Sequence, residues 1–321
     1  MDCEKTLNDL QLSVVTTLYH SAPYLPEFYR RASEVARKIT DDYEIIMVND
    51  GSPDNSLEVA VALYEKDDHV RVIDLSRNFG HHKAIMTGLA HACGRLVFLV
   101  DCDLEEEPEL VARFQVEMTS SGADVVYGIQ EKRKGAIFEQ VTGHLFYSVF
   151  NWFSSYPVPR NITTARLMSA RYVSSLVEHK DREINLLGLW AITGYKQVPL
   201  TIKKHSKGST TYNFGRKVAA LVNSLTSFSN RPLVFIFYLG CLISMASIFA
   251  AGYLIVRRIF FGTYLEGWAS LIVSIWLLGG LMIFCLGIIG IYISKIFTEC
   301  KQRPYTVIRK SYERAGQKNN T

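Results

Sequence analysis

Val97-Phe98-Leu99-Val100-Asp101-Cys102-Asp103-Leu104-Glu105-Glu106-Glu107-Pro108 runs from four apolar side chains straight into a cluster of carboxylates. The unbroken apolar run reads as a strand buried on both faces of a parallel sheet, where no solvent face forces alternation. In open α/β sheets ligands bind beyond the carboxyl ends of strands, where Asp101 and Asp103 would stand. Two carboxylates so spaced can converge on one hard cation, Mg²⁺ or Mn²⁺, whose shell phosphate oxygens complete. The same residues also read as a solvated acidic loop ahead of a helix opened by Pro108. The neighbouring segments separate these readings.

Upstream, Tyr43-Glu44-Ile45-Ile46-Met47-Val48-Asn49-Asp50-Gly51-Ser52 is a second apolar strand that ends in Asp-Gly-Ser. Between the two lies Leu75-Ser76-Arg77-Asn78-Phe79-Gly80-His81-His82-Lys83-Ala84. The pattern predicts strands over 12–18, 43–49, 70–75, 123–128 and 196–203, and helices over 25–39, 55–66, 82–93 and 109–120. The loop Tyr19-His20-Ser21-Ala22-Pro23-Tyr24 has no glycine. The G-x-G-x-x-G turn of a dinucleotide fold is therefore missing, which counts against an NAD-type oxidoreductase. His81 and His82 are adjacent on a helix, so their side chains point apart; they read as structural or helix-capping.

In this order and spacing the three segments resemble the membrane-anchored GT-A glycosyltransferases of family 2 that load a sugar onto polyprenyl phosphate. That group includes dolichyl-phosphate mannose synthases and bacterial undecaprenyl-phosphate glucosyltransferases, and the resemblance spans about residues 10–295. It implies an α/β GT-A nucleotide-sugar domain with a mostly parallel sheet over 1–213. It further implies that Asp101, Asp103, Arg133 and Arg166 are catalytic. Nucleotide-sugar contacts would come from Thr17, Tyr19, Asp50, Arg77, Lys83, Asp101, Cys102, Asp103, His205 and Lys207. The divalent cation would sit on Asp101, Asp103 and Glu105, while Glu106 and Glu107 read as acids at a helix start. The family's Tyr-Asn-Glu loop appears here as Tyr19-His20-Ser21, its first loop arginine as Gln130, and an aspartate as Thr164.

Beyond residue 213 the composition changes. Residues 137–153 carry an aromatic helical stripe, and 214–231 read as an amphipathic helix suited to a membrane interface. Residues 232–256 and 267–294 are two uncharged apolar runs, each longer than the roughly 20 residues a span requires. Arg257 and Arg258 fall between them, whereas lysines and arginines crowd both outer flanks. The positive-inside rule then puts both termini and the catalytic domain in the cytoplasm of a cell whose inner membrane holds a two-helix anchor over 232–295. Residues 296–321 read as a basic cytoplasmic tail, and a cut after Arg231 should leave a folded domain. Glycines such as Gly279, Gly280, Gly287 and Gly290 permit close helix packing and hint at a homo-oligomer.

The net charge of +4 is modest and the basic residues favour the C-terminal half, which suits an anionic membrane surface better than nucleic acid. Six scattered cysteines suggest neither a metal site nor a disulfide framework, and the polar N-terminus holds no signal-peptide core. Two other readings stay open: a transferase of this fold acting on a saccharide hydroxyl, and a catalytically silent nucleotide-sugar or lipid binder.

Overall fold

The computed structural model describes residues 10–130, 161–203, 231–261 and 267–314. Arg133, His205, Lys207, the aromatic stripe over 137–153 and nearly all of 214–231 lie outside them. The described residues form two units. One holds 10–130, 161–203 and 303–314; the other holds 231–261 and 267–302.

The first unit is built on one eight-stranded sheet. Its opening half alternates strand and helix: β1 (Leu12–Leu18), α1 (Leu25–Ile39), β2 (Tyr43–Asn49), α2 (Ser56–Lys66), β3 (Val70–Leu75), α3 (His81–Ala90) and β4 (Leu96–Leu99). Every residue of β1, β2 and β3 is buried, as expected of strands covered on both faces. In α1, Leu25, Phe28, Ala32, Val35 and Ala36 recur at helical spacing and are buried, while Glu27, Arg30, Glu34 and Lys38 pair with one another in solvent.

The second half follows as α4 (Leu110–Ser121), β5 (Val125–Gln130), β6 (Ile162–Ser169), α5 (Ala170–Glu178), α6 (Leu186–Ile192) and β7 (Gln197–Ile202). A final strand, β8 (Ile308–Tyr312), completes the order β7-β5-β6-β4-β1-β2-β3-β8. The β1–β2, β1–β4, β2–β3 and β5–β7 pairings are parallel. β6 lies antiparallel between β4 and β5. The sheet is thus mixed and mostly parallel, and its parallel strands β1, β2, β3 and β4 direct their carboxyl ends to one edge.

β8 departs from the tail expected over 296–321. It pairs antiparallel with β3, Val72 opposite Tyr312 and Asp74 opposite Lys310. Buried charges explain the attachment. Arg71 (3 % exposed) bonds Glu44 at 2.7 Å and lies 3.2 Å from Glu313. Asp74 accepts from Asn49 Nδ2 at 2.8 Å and from Arg309 Nε at 2.8 Å. Thr306 and Thr87 share a hydroxyl hydrogen bond of 2.9 Å, fixing the same segment to α3. Sequence composition breaks cleanly after residue 231, yet this unit recruits its edge strand from beyond both apolar helices.

The second unit contains α7 (Arg231–Phe261) and α8 (Trp268–Cys300). At 1.5 Å per residue each is about 45–50 Å long, more than the roughly 30 Å of a bilayer core. Their apolar windows, Arg231–Ala250 and Ser274–Cys300, have mean hydropathy 2.3 and are not buried in the protein. Phe237, Phe249, Trp276 and Ile283 are all more than 60 % exposed. Helices that bury nothing of such apolar length in protein are fitted to a membrane interior. α7 continues through Arg257 and Arg258, which were expected in the connecting loop; a helix need not stop where its apolar run does. One cysteine also departs from expectation: Cys93 is disulfide-bonded, whereas Cys102, Cys241, Cys285 and Cys300 are free.

Candidate active site

The site lies where β1, β2 and β4 end together. β4 stops at Leu99, and the next residues turn sharply. Asp103 Oδ1 accepts the Glu105 backbone N–H at 3.0 Å, and Leu104 takes the left-handed backbone (φ 62°) that this tight turn requires. The turn holds Asp101 and Asp103 half-buried at the strand end, as the sequence pattern predicts. Cys102 points the other way into the core. Its thiol donates to the Thr17 carbonyl at 3.2 Å, and burial pushes its pKa up to about 11, so it stays a neutral packing group.

His81 was expected to be structural or capping; the N-cap is Gly80, and His81 contacts the ends of two strands. The residue opens α3 at the sheet edge. Its Nδ1 lies 3.0 Å from Thr17 Oγ1 and its Nε2 lies 3.5 Å from Asp101 Oδ1. Burial lowers its pKa, against the opposing pull of Asp50 and Asp103. His82 does face away, its Nδ1 3.3 Å from the Ile184 carbonyl.

Asp50 is 2 % exposed, and its carboxylate is engaged by backbone. Oδ1 accepts from Phe79 N–H at 2.7 Å and Oδ2 from Gly80 N–H at 3.0 Å. Desolvation raises its pKa, with those two bonds working the other way. Its place in this structure is therefore to hold the loop that launches α3. Gly51 lets that loop pass: at φ 58° a Cβ would come within 2.5 Å of the Arg77 carbonyl carbon. Arg77 lies exposed, its guanidinium 4.0 Å from the Phe79 ring centroid, and Lys83 sits partly buried on α3.

The departing Tyr19-His20-Ser21 loop is internally satisfied. His20 adopts φ 53°, a conformation for which asparagine and histidine are both suited, and its N–H donates to Ser52 Oγ at 2.8 Å. Ser21 Oγ accepts from Tyr19 N–H, and the Ser21 N–H donates to Ser56 Oγ. Tyr19 is left half exposed above the edge.

A family model described as glycosyl transferase family 2 matches residues 13–176, just over half of the chain. The chain belongs to this family. A Mycobacterium tuberculosis protein that carries a provisional glycosyltransferase name is 57% identical over 303 residues, covering 94% of this chain and 89% of the relative. The uncharacterized glycosyltransferase YkcC of Bacillus subtilis is 32% identical, covering 94% of each. The SfII prophage-derived bactoprenol glucosyl transferase of Shigella flexneri is 29% identical, covering 94% of this chain and 99% of the relative.

In this family 2 transferase the expected cation trio of Asp101, Asp103 and Glu105 is not assembled. Among the described residues no three His, Cys, Asp or Glu side chains stand together as a metal-holding group. Asp101 and Asp103 still fit a hard cation whose remaining ligands are phosphate oxygens and water, because that chemistry needs only one or two carboxylates.

Glu106 and Arg166 differ most from expectation. Glu106 is fully buried well before α4 begins and accepts the Ala165 N–H at 2.6 Å, which ties the acidic turn to β6. It is a tether between strands rather than a helix-start acid. Arg166 is likewise fully buried, with its guanidinium carbon 2.9 Å from the Trp190 ring centroid. Desolvation pulls its pKa down to about 9, still high enough to keep it charged at neutral pH. Among the described residues neither Arg166 Nη1 nor Trp190 Nε1 finds a hydrogen-bond partner. Leu99 pairs with Arg166 across β4 and β6, and carrying that antiparallel register two residues further sets Thr164 level with Asp101.

Proposed function

We propose that this transferase moves a sugar from a nucleotide diphosphate sugar to a polyprenyl phosphate at the cytoplasmic face of a membrane. The observation that carries the reading is the pair of exposed, membrane-length helices joined to a family 2 domain. A polyprenyl acceptor never leaves the bilayer, and an anchored enzyme meets it at high effective concentration. The name of the Shigella flexneri relative, a bactoprenol glucosyl transferase, supports the same acceptor class.

In the proposed reaction an oxygen of the lipid phosphate attacks the anomeric carbon. The bond from that carbon to the diphosphate oxygen breaks, and the electron pair leaves with the nucleoside diphosphate. Asp101 and Asp103 would hold a Mg²⁺ or Mn²⁺ ion, which when bound neutralises charge growing on the leaving diphosphate. Tyr19, Arg77 and Lys83 are candidates for donor contacts, and Arg133, His205 and Lys207 remain candidates for phosphate contacts. A thermal-shift panel of UDP-, GDP- and dTDP-sugars, with and without Mn²⁺, tests the donor. Stabilisation by none of them would count against the nucleotide-sugar assignment.

Thr164 bears on the acceptor. A hydroxyl must lose a proton during attack and so needs a base. A phosphate monoester, with a second pKa of about 6, is already a nucleophilic dianion at neutral pH. Threonine level with Asp101 is compatible with the latter. We expect Thr164→Ala to keep most activity, and the pH–rate profile to fall on its acid side near the acceptor's second pKa. An acid limb that disappears on mutating one enzyme carboxylate would overturn the base-free scheme. Arg166→Ala is a poorer probe than the sequence suggested, because it would empty a buried site beside Trp190 and Glu106 and cost stability.

A further inference from the structure

We propose that His81 is a positioning residue that sets the orientation of the Asp101 carboxylate, and that Thr17 sets the orientation of His81. This rests on the proposed cation role of Asp101 and Asp103.

Three strand ends meet at this one residue. Asp50, after β2, holds the Phe79 and Gly80 N–H groups and so fixes where α3 begins. Gly80 has φ 102° and is the N-cap of α3, with no side-chain cap bond. The His81 side chain is therefore left to reach over the ends of β1 and β4. There it spans Thr17 Oγ1 at 3.0 Å and Asp101 Oδ1 at 3.5 Å. β1 and β4 are parallel neighbours, Val15 opposite Leu99, so the same register brings Thr17 level with Asp101.

The order of donors follows from chemistry. A neutral imidazole has one N–H and one acceptor nitrogen, and the partner of one nitrogen selects the role of the other. If the Thr17 hydroxyl donates to Nδ1, the proton resides on Nε2 and faces Asp101. That N–H then faces the carboxylate and limits the orientations it can take. Partners of this kind, one bond behind a ligand, fix ligand geometry, and their loss typically weakens metal binding about 10–100-fold. The adjacent His82, turned toward Ile184, has no such role.

The test uses the full-length protein in detergent and follows Mn²⁺ binding by the loss of its free-ion paramagnetic resonance signal, with inorganic pyrophosphate present to stand in for the diphosphate. His81→Ala is expected to weaken Mn²⁺ binding at least tenfold. His81→Gln, whose amide N–H can reach toward Asp101, should recover most of it, and Thr17→Val should fall between them. Wild-type affinity in His81→Ala, with Asp101→Asn defective, overturns the positioning role alone. Binding as weak in His81→Gln as in His81→Ala also overturns it, since ring packing rather than a polar contact with Asp101 would then matter. Wild-type affinity in Asp101→Asn removes the cation reading itself, and the proposal with it.

Discussion

Asp103→Asn is expected to abolish divalent-dependent turnover while leaving the chain folded. Asp103 Oδ1 accepts the Glu105 N–H that closes the turn after β4, and the asparagine carbonyl oxygen can accept the same bond. The turn, with Leu104 at φ 62°, is thereby kept. What is lost is one negative charge at the strand end. Losing one group that stabilises developing charge costs on the order of 10²–10³-fold in rate, and weaker cation occupancy adds to that. Turnover in Mn²⁺ or Mg²⁺ is the measurement, with the melting temperature as the control for folding. Near-normal turnover would remove Asp103 from the site.

Deleting 303–314 is expected to unfold or severely destabilise the sheet domain, although the segment lies beyond both apolar helices. Without it, Asp74 (3 % exposed) loses Arg309, Arg71 (3 % exposed) loses Glu313, and β3 becomes a bare edge. Removing one partner of a buried charge pair costs roughly 3–5 kcal/mol, against a total stability of about 5–15 kcal/mol for a typical domain. Arg309 is itself exposed, so its pair with Asp74 adds little, whereas Glu313 is only 13 % exposed and Arg71 keeps Glu44, so that loss alone sits toward the lower end of the range. The same logic revises the cut after Arg231, which removes β8 too and should not give a stable domain. Thermal unfolding of the deletion variant alongside intact protein checks this. Equal melting temperatures would make β8 dispensable.

The opening half of the sheet was legible because its strands are short apolar runs ending in turn residues, and their helices keep a regular apolar period. Val97–Asp103 and Tyr43–Ser52 carry that signal plainly. β8 was not legible. Ile308-Arg309-Lys310-Ser311-Tyr312 has no apolar alternation, since an edge strand needs little burial, and its partners lie more than 200 residues earlier. A usable signal did exist in β3, where Val70-Arg71-Val72-Ile73-Asp74-Leu75 sets two charges inside a fully buried strand. Such charges require partners. His81 was missed for a related reason: helical geometry correctly separates it from His82, but only the strand ends reveal that it faces Thr17 and Asp101. Asp50 and Glu106 were recognised as notable acids, yet a string of residues does not tell whether a carboxylate meets a ligand or a backbone N–H.

Release of nucleoside diphosphate by the intact protein in lipid nanodiscs, with and without polyprenyl phosphate, tests the proposed function most directly. With the donor that the thermal-shift panel selects, release should be slow alone, rise many-fold when polyprenyl phosphate is added, and be matched by sugar recovered in the organic phase. Release that is indifferent to the lipid phosphate, or that rises only with a saccharide acceptor, would contradict it.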